Sequence, residues 1–214
     1  MNQDSGKMNR STKRVRTELV VATKNKGKLR EIKDLLKGFN IVITSLADYP
    51  DAPQIEEDGK TFRQNAVKKA VIVARYTKKL TLGEDSGIEV KALGNQPGIY
   101  SARFSGETAT DKKNNLKLLR CLRGVPMEKR QARYRCFAAL ADKNGVVVDV
   151  VSGSCSGLIT LRSRGHNGFG YDPLFFIPRF HKTFGELDPS IKAGISHRAR
   201  ALKKVKIFLQ KYLR

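Results

Sequence analysis

Residues 133–154 read RYRCFAALADKNGVVVDVVSGS, and this stretch decides the class of fold. Its period is two. Arg133 to Asp142 reads as one strand, Asn144-Gly145 as a turn, and Val146 to Ser154 as the returning strand. An all-parallel sheet has no place for such a hairpin. Gly157 to Leu161 reads as a further strand. Upstream, Glu18 to Ala22 and Asn40 to Thr44 are short strands. Helical spacing recurs in Leu29, Ile32, Leu35 and Leu36, in Asp111 to Arg123 built on Leu116, Leu119 and Leu122, and in Leu202, Val205 and Leu209. Helices and hairpins together predict an α/β or α+β fold with a mixed sheet, and α/β is the class expected here.

With 214 residues, 40% of them apolar, the chain can bury one sizeable core or two lobes sharing a cleft. No apolar run approaches the roughly 18 residues of a membrane span, and the polar N-terminus lacks the apolar centre of a secretory signal. Cys121, Cys136 and Cys155 are far apart and lack metal-ligand spacing, so free thiols and a cytoplasmic location are expected. Lys and Arg number 42 against 20 Asp and Glu, a net charge of +22. That excess calls for an anionic partner: a phosphate-rich small molecule, a nucleic acid or an acidic surface. Residues 1–16, basic and nearly without large apolar side chains, read as a disordered tail before a single folded unit, 17–214.

The chemistry gathers in GEDSGIEVKALGNQPGIYSARFSG, residues 83–106. It reads as strand, tight acidic turn, strand, with Glu84, Asp85, Ser86 and Gly87 in the turn. The adjacent carboxylates are either turn residues or ligands for a hard cation such as magnesium. TKNKGK, Thr23 to Lys28, joins a strand to a helix N-terminus, where free N–H groups attract anions. In the helix opened by the expected Thr61/Gln64 capping box, Phe62, Ala66, Ala70, Val73 and Ala74 form the apolar side. Lys69, seven residues after Phe62, shares that side with Asn65. It is either a snorkelling side chain or, the preferred reading, a cation on a cleft floor. The loop RGHNGFGYDPLFFIP, 164–178, offers Phe169 for stacking and Asp172 as a further carboxylate, with Phe175 and Phe176 in the core. Lys192, His197 and Arg198 cluster where the last helix begins, a poor place for cations unless an anion is held there; the alternative is that Arg198 and Arg200 are simply solvated.

TKNKGK, EEDGKTFRQNAVKKA, GEDSGIEVKALGNQPGIYSARFSG, FGYDP and KAGISHR occur in the same order as in the Ham1 family, which the chain resembles from Thr17 to Leu202. That family comprises inosine triphosphate pyrophosphatases acting on non-standard purine nucleoside triphosphates. The resemblance implies a magnesium-dependent homodimer with an elongated mixed sheet and two lobes around a nucleotide cleft, a shape shared with the Maf-like pyrophosphatases. It implies hydrolysis of ITP, dITP or XTP to the monophosphate and pyrophosphate. Thr23, Lys24, Asn25, Lys26, Gly27, Lys28 and Lys69 fall to the triphosphate. Asp85 falls to catalysis and, with Glu57, to the metal, the division among Asp85, Glu84 and Glu57 staying open. Ser86, Phe169, Gly170, Tyr171, Asp172, Lys192, His197 and Arg198 complete the expected substrate contacts. Gln64 stands where the family commonly has Glu, and Glu84 where it commonly has Asp. A nucleic-acid-binding protein and a Maf-like enzyme are the other readings; the carboxylates speak against the first, FGYDP and SHR against the second.

Overall fold

The structure, a computed structural model, describes residues 16–212. The expected tail lies outside them apart from Arg16, which is exposed. In chain order the elements are β1 (Thr17–Val21), α1 (Lys26–Leu35), β2 (Ile41–Ser45), α2 (Phe62–Thr77), β3 (Leu80–Val90), β4 (Gln96–Pro97), α3 (Asp111–Cys121), β5 (Gln131–Ala141), β6 (Val147–Ile159), β7 (Phe175–Ile177), β8 (Lys182–Thr183), α4 (Pro189–Ile195) and α5 (His197–Tyr212). The sheet runs β2-β1-β3-β5-β6-β7-β8, with β4 paired to β3. Only β1 pairs in parallel, with β2 and β3; the other pairings are antiparallel. The mixed α/β sheet flanked by helices is thus as the hairpin requires.

Three long strands carry the architecture, and each changes character along its length. On β3, Leu80 and Leu82 belong to a core with Leu19, Ile32, Leu140, Leu202, Val205 and Leu209, whereas Ile88 and Val90 belong to another with Leu118, Leu122, Tyr134, Phe175 and Phe184. Strand β5 divides likewise, Leu140 lying in the first core and Tyr134 in the second. Two apolar lobes therefore share one sheet, and the polar middle of β3 lies where one gives way to the other. Smaller clusters seat α2: Ala66, Ala70 and Ala74 pack on Ala139 and Ala141, and Val73 on Val20, Ala22 and Leu46.

Five sequence expectations need correction. Glu84 to Gly87 is not a turn; β3 continues from Leu80 to Val90. Its glycines serve close approach: a Cβ at Gly83 would strike the α2 backbone at Ala66 and Ala70, and one at Gly87 would meet the carbonyl of Gly98 and the Phe62 ring. Gly157 does not open a new strand, because β6 runs through it to Ile159. The hairpin loop is the three residues Lys143 to Gly145 rather than a two-residue turn. Asp142 and Val146 pair across it at 2.9 Å, Gly145 takes φ 79°, and Asp142 Oδ1 accepts from the N–H of Asn144 and of Val146. In α3 the inward face is Asn114, Asn115 and Leu118, with Leu116 exposed. Finally, the α2 cap is half a box: Thr61 Oγ1 accepts from Gln64 N at 3.1 Å, but Gln64 Oε1 reaches Lys60 N at 2.8 Å instead of Thr61 N.

Candidate active site

Strand β1 pairs with β3 only as far as Val21 and Leu82, and β4 joins the same edge only at Glu89 and Val90. Against the stretch left between them opens a cleft of about 610 Å³. Crevices past the carboxyl end of a parallel strand are the usual ligand sites of open α/β sheets. Thr23, Lys24, Asn25 and Lys28 line the cleft from the N-terminus of α1, where Asn25 Oδ1 caps the N–H of Lys28 at 3.0 Å. Lys26 is exposed, and neither it nor Gly27 lines the cleft. Gly27 matters differently: a Cβ there would stand 2.9 Å from the Phe169 ring, so its absence lets that ring lie against the start of α1.

The pleat sends Glu84 and Asp85 to opposite faces of β3, so the two do not act as a pair. Asp85 meets α2. Lys69, buried on that helix, donates from Nζ to Asp85 Oδ1 at 2.9 Å and to the Glu84 carbonyl at 3.2 Å, and pairs with Glu57 Oε1 at 2.6 Å. Asn65, one turn earlier, donates to Asp85 Oδ2 at 3.3 Å while its Oδ1 accepts from Gly59 N at 2.8 Å, tying α2 to the loop that carries Glu57. Burial pushes the Asp85 carboxyl up, and the negative Glu57 nearby adds to this against the pull of Lys69 and Lys28. Burial acts on Glu57 too, but Lys69 outweighs it and holds that carboxyl low. For Lys69 burial opposes the charge, and Asp85 and Glu57 overcome it, raising the ammonium.

On the other face Glu84 is enclosed. Its Oε1 accepts from Arg198 Nη2 at 3.0 Å and from the Cys136 thiol at 3.2 Å. Its Oε2 lies 2.9 Å from Lys28 Nζ, close enough for charge pairing but off the angle for a hydrogen bond. Burial works against this carboxylate, yet Arg198 and Lys28 hold it well below the usual range. Arg198 is not solvated: it also bonds Ser86 Oγ at 3.0 Å and Glu31, so the anion at the start of α5 is supplied by the protein. Glu31 also takes Lys192 Nζ at 2.7 Å, and Lys192 reaches Asp172 Oδ2 at 2.5 Å. Asp172, almost wholly enclosed, is nonetheless pushed up by burial. The Phe169 ring lies beneath both cations, 4.9 Å from Lys192 Nζ and 5.5 Å from the Arg198 guanidinium. His197 stacks on Tyr134 at 4.5 Å with its Nδ1 unpartnered; burial, then Arg198, drives its pKa well down, so it is neutral.

The structure thus gathers Asp85, Glu57, Lys69, Lys28, Ser86, Gly170, Tyr171, Asp172, Lys192, His197 and Arg198 around one cleft. Sequence reading missed Glu31, whose only signal was an acid three residues after Lys28 in a lysine-rich helix, and it missed Asp111, Asn114, Ser101 and Tyr134, which also line the space or hold those that do.

The Ham1 family pattern matches residues 19–208. The chain belongs to the Ham1 family. A dITP/XTP pyrophosphatase of Desulforamulus reducens is 50% identical over 187 residues, 87% of this chain and 92% of that protein. One from Geobacter sulfurreducens is 50% identical over 190 residues, 89% and 95% of the two chains. A solved Ham1 protein from Coxiella burnetii superposes with a TM-score of 0.82 at 36% identity, covering 91% of this chain and 99% of its own. Among the described Ham1 residues no three His, Cys, Asp or Glu side chains form a closed metal cage. The donors do fit magnesium held in the open manner usual for it, by one or two carboxylates with phosphate and water completing the shell: Asp85 and Glu57 both line the cleft, and their only shared partner is itself a cation, Lys69.

Proposed function

We propose that the chain hydrolyses non-canonical purine nucleoside triphosphates, namely ITP, dITP and XTP, to the monophosphate and pyrophosphate, with magnesium as cofactor. Beside its family membership, the carrying observation is that one cleft joins an aromatic ring under two cations to a helix N-terminus and a lysine-bridged carboxylate pair. Phe169 would stack on the purine. A 6-keto oxygen accepts hydrogen bonds from the Lys192–Arg198 segment, where Arg198 Nε has no acceptor of its own, whereas the 6-amino group of adenine would leave it unpaired. The triphosphate would lie toward the Thr23–Lys28 helix start and Lys69.

Water attacks the α-phosphorus, its proton passes to a carboxylate oxygen of Asp85, and the bond to the leaving pyrophosphate breaks. Asp85 suits the proton because burial raises its basicity. Glu57, held low and ionised, suits the metal, with Asp85 beside it. Bound there, magnesium would neutralise phosphate charge. Lys28 and Lys69, both engaged with carboxylates in the free protein, would exchange these for phosphate oxygens and stabilise charge on the leaving group. The same reading takes the working unit as a homodimer in the cytoplasm, testable by sedimentation and by fractionation.

Pyrophosphate release is expected from ITP, dITP and XTP far above ATP, only with magnesium, and to vanish in Asp85→Asn with the fold retained. Near-normal turnover by a folded Asp85→Asn protein, or equal rates on ATP, would overturn the proposal.

A further inference from the structure

Helix α3 contributes no residue to the chemistry described so far, yet it grips the aromatic loop at one residue, Gly170, through the peptides on either side of it. Asp111 Oδ2 accepts from the N–H of Gly170 at 2.7 Å, and Asn115 Nδ2 donates to the Gly170 carbonyl at 3.0 Å. One turn of the helix carries a third tie, since Asn114 Nδ2 donates to the carbonyls of Ser101 at 3.4 Å and Ala102 at 3.1 Å, and Ser101 O also accepts from Tyr171 Oη at 2.8 Å. The loop needs such ties. Gly168 and Gly170 both stand in the left-handed region, at φ 79° and 64°, so the segment around Phe169 has two conformationally free residues and belongs to no strand or helix. Its internal fastenings are the Asp172 carboxylate on Phe169 N at 2.9 Å and the longer bond from Asp172 N to the Phe169 carbonyl at 3.3 Å; both hold Phe169 and leave Gly170 to α3. The inward turn of Asn114 and Asn115, which cost α3 two apolar positions, has this as its physical reason.

We infer that Asp111 and Asn115 are positioning residues for nucleotide binding: by clamping Gly170 at its N–H and its carbonyl they hold the Phe169 ring against Gly27 at the angle a purine requires. The inference rests on Phe169 being the base platform. It concerns the base end of the cleft alone, because neither residue bonds any group assigned to the triphosphate.

The experiment measures ITP hydrolysis by Asp111→Ala, Asp111→Asn and Asn115→Ala, together with inhibition by inorganic tripolyphosphate, which has no base. Loss of one charged hydrogen bond predicts a KM for ITP raised about tenfold in Asp111→Ala, with kcat and the tripolyphosphate inhibition constant unchanged. Asp111→Asn keeps an acceptor oxygen and restores most of the binding. In a Phe169→Ala background Asp111→Ala should cost nothing further, since a residue acting through the ring has no effect once the ring is gone. An unchanged KM, a parallel rise in KM and the inhibition constant, or additivity with Phe169→Ala would each overturn the inference. Amide exchange across residues 168–172 reads the clamp without turnover: faster exchange in Asp111→Ala with no shift in ITP binding would keep the clamp as scaffolding and sink its role in recognition.

Discussion

Glu84 illustrates how a single buried side chain can be held ionised by neighbours drawn from three elements. Strand β3 supplies it, α1 sends Lys28, α5 sends Arg198, and the neighbouring strand offers the Cys136 thiol. Removing one member of a buried ion pair leaves the other uncompensated, at about 3 to 5 kcal/mol. Glu84→Gln should therefore lower the thermal midpoint by roughly 10 °C or more at neutral pH. Because the folded carboxyl titrates well below its ordinary value of 4.5, its contribution is present above that value and lost as pH falls beneath it. The gap between wild type and Glu84→Gln should accordingly close in acid, and a gap independent of pH would show that Glu84 is not held as a carboxylate. Such pairings are what sequence reading sees least. Lys69 and Asn65 were legible because helical spacing placed them on the apolar side of α2, but nothing local joins Glu31 to Lys192 or Arg198 across most of the chain.

Elements take their depth in this molecule from glycine. Gly83 of β3 receives the backbone of α2 at Ala66 and Ala70, and Gly153 of β6 receives that of α5 at His197 and Ala201. Each contact lies within one turn of a residue that lines the cleft, Lys69 in one case and His197 in the other. A methyl group at either glycine meets backbone, which cannot swing aside, and overpacking of this kind costs about 1 to 3 kcal/mol. Gly83→Ala should lose that much stability in denaturant titration and lose kcat far more steeply, since lifting α2 separates Lys69 and Asn65 from Asp85. If kcat survived the stability loss, the seating of α2 would not govern the site. Here too lies the reason that Glu84 to Gly87 resembled a turn. Glycine in a sequence signals either a free dihedral or a missing side chain, and acids beside it point to the first, whereas a helix passing overhead is visible only in three dimensions. The hairpin, by contrast, was legible because the alternation of β5 and β6 is local, although its loop proved one residue longer than Asn144-Gly145 implied.

Over the whole molecule the charge is distributed against expectation. The chain carries +22, but the bonded network at the cleft sets Lys28, Lys69, Lys192 and Arg198 against Glu31, Glu57, Glu84, Asp85 and Asp172. Positive charge outside draws polyanions in, and a nearly neutral interior declines to hold them without a metal. Rising ionic strength should thus lower kcat/KM several-fold while sparing kcat, and insensitivity to salt would remove the steering argument. Lys69 already neutralises Asp85 and Glu57, so a chelator should stop turnover without shifting the thermal midpoint; melting on chelation would mean the metal is structural. The shared strands carry one more consequence. No linker joins the two lobes, because β3, β5 and β6 pass unbroken from one core into the other. Where the cores meet, two of these strands are rich in small side chains: Gly83, Ser86 and Gly87 flank Glu84 and Asp85 on β3, and Ser152, Gly153 and Ser154 follow one another on β6. Rotation of one lobe against the other must be absorbed there as torsion, so the jaws of this enzyme are mounted on a spring, with its restoring force in the sheet's own hydrogen bonds.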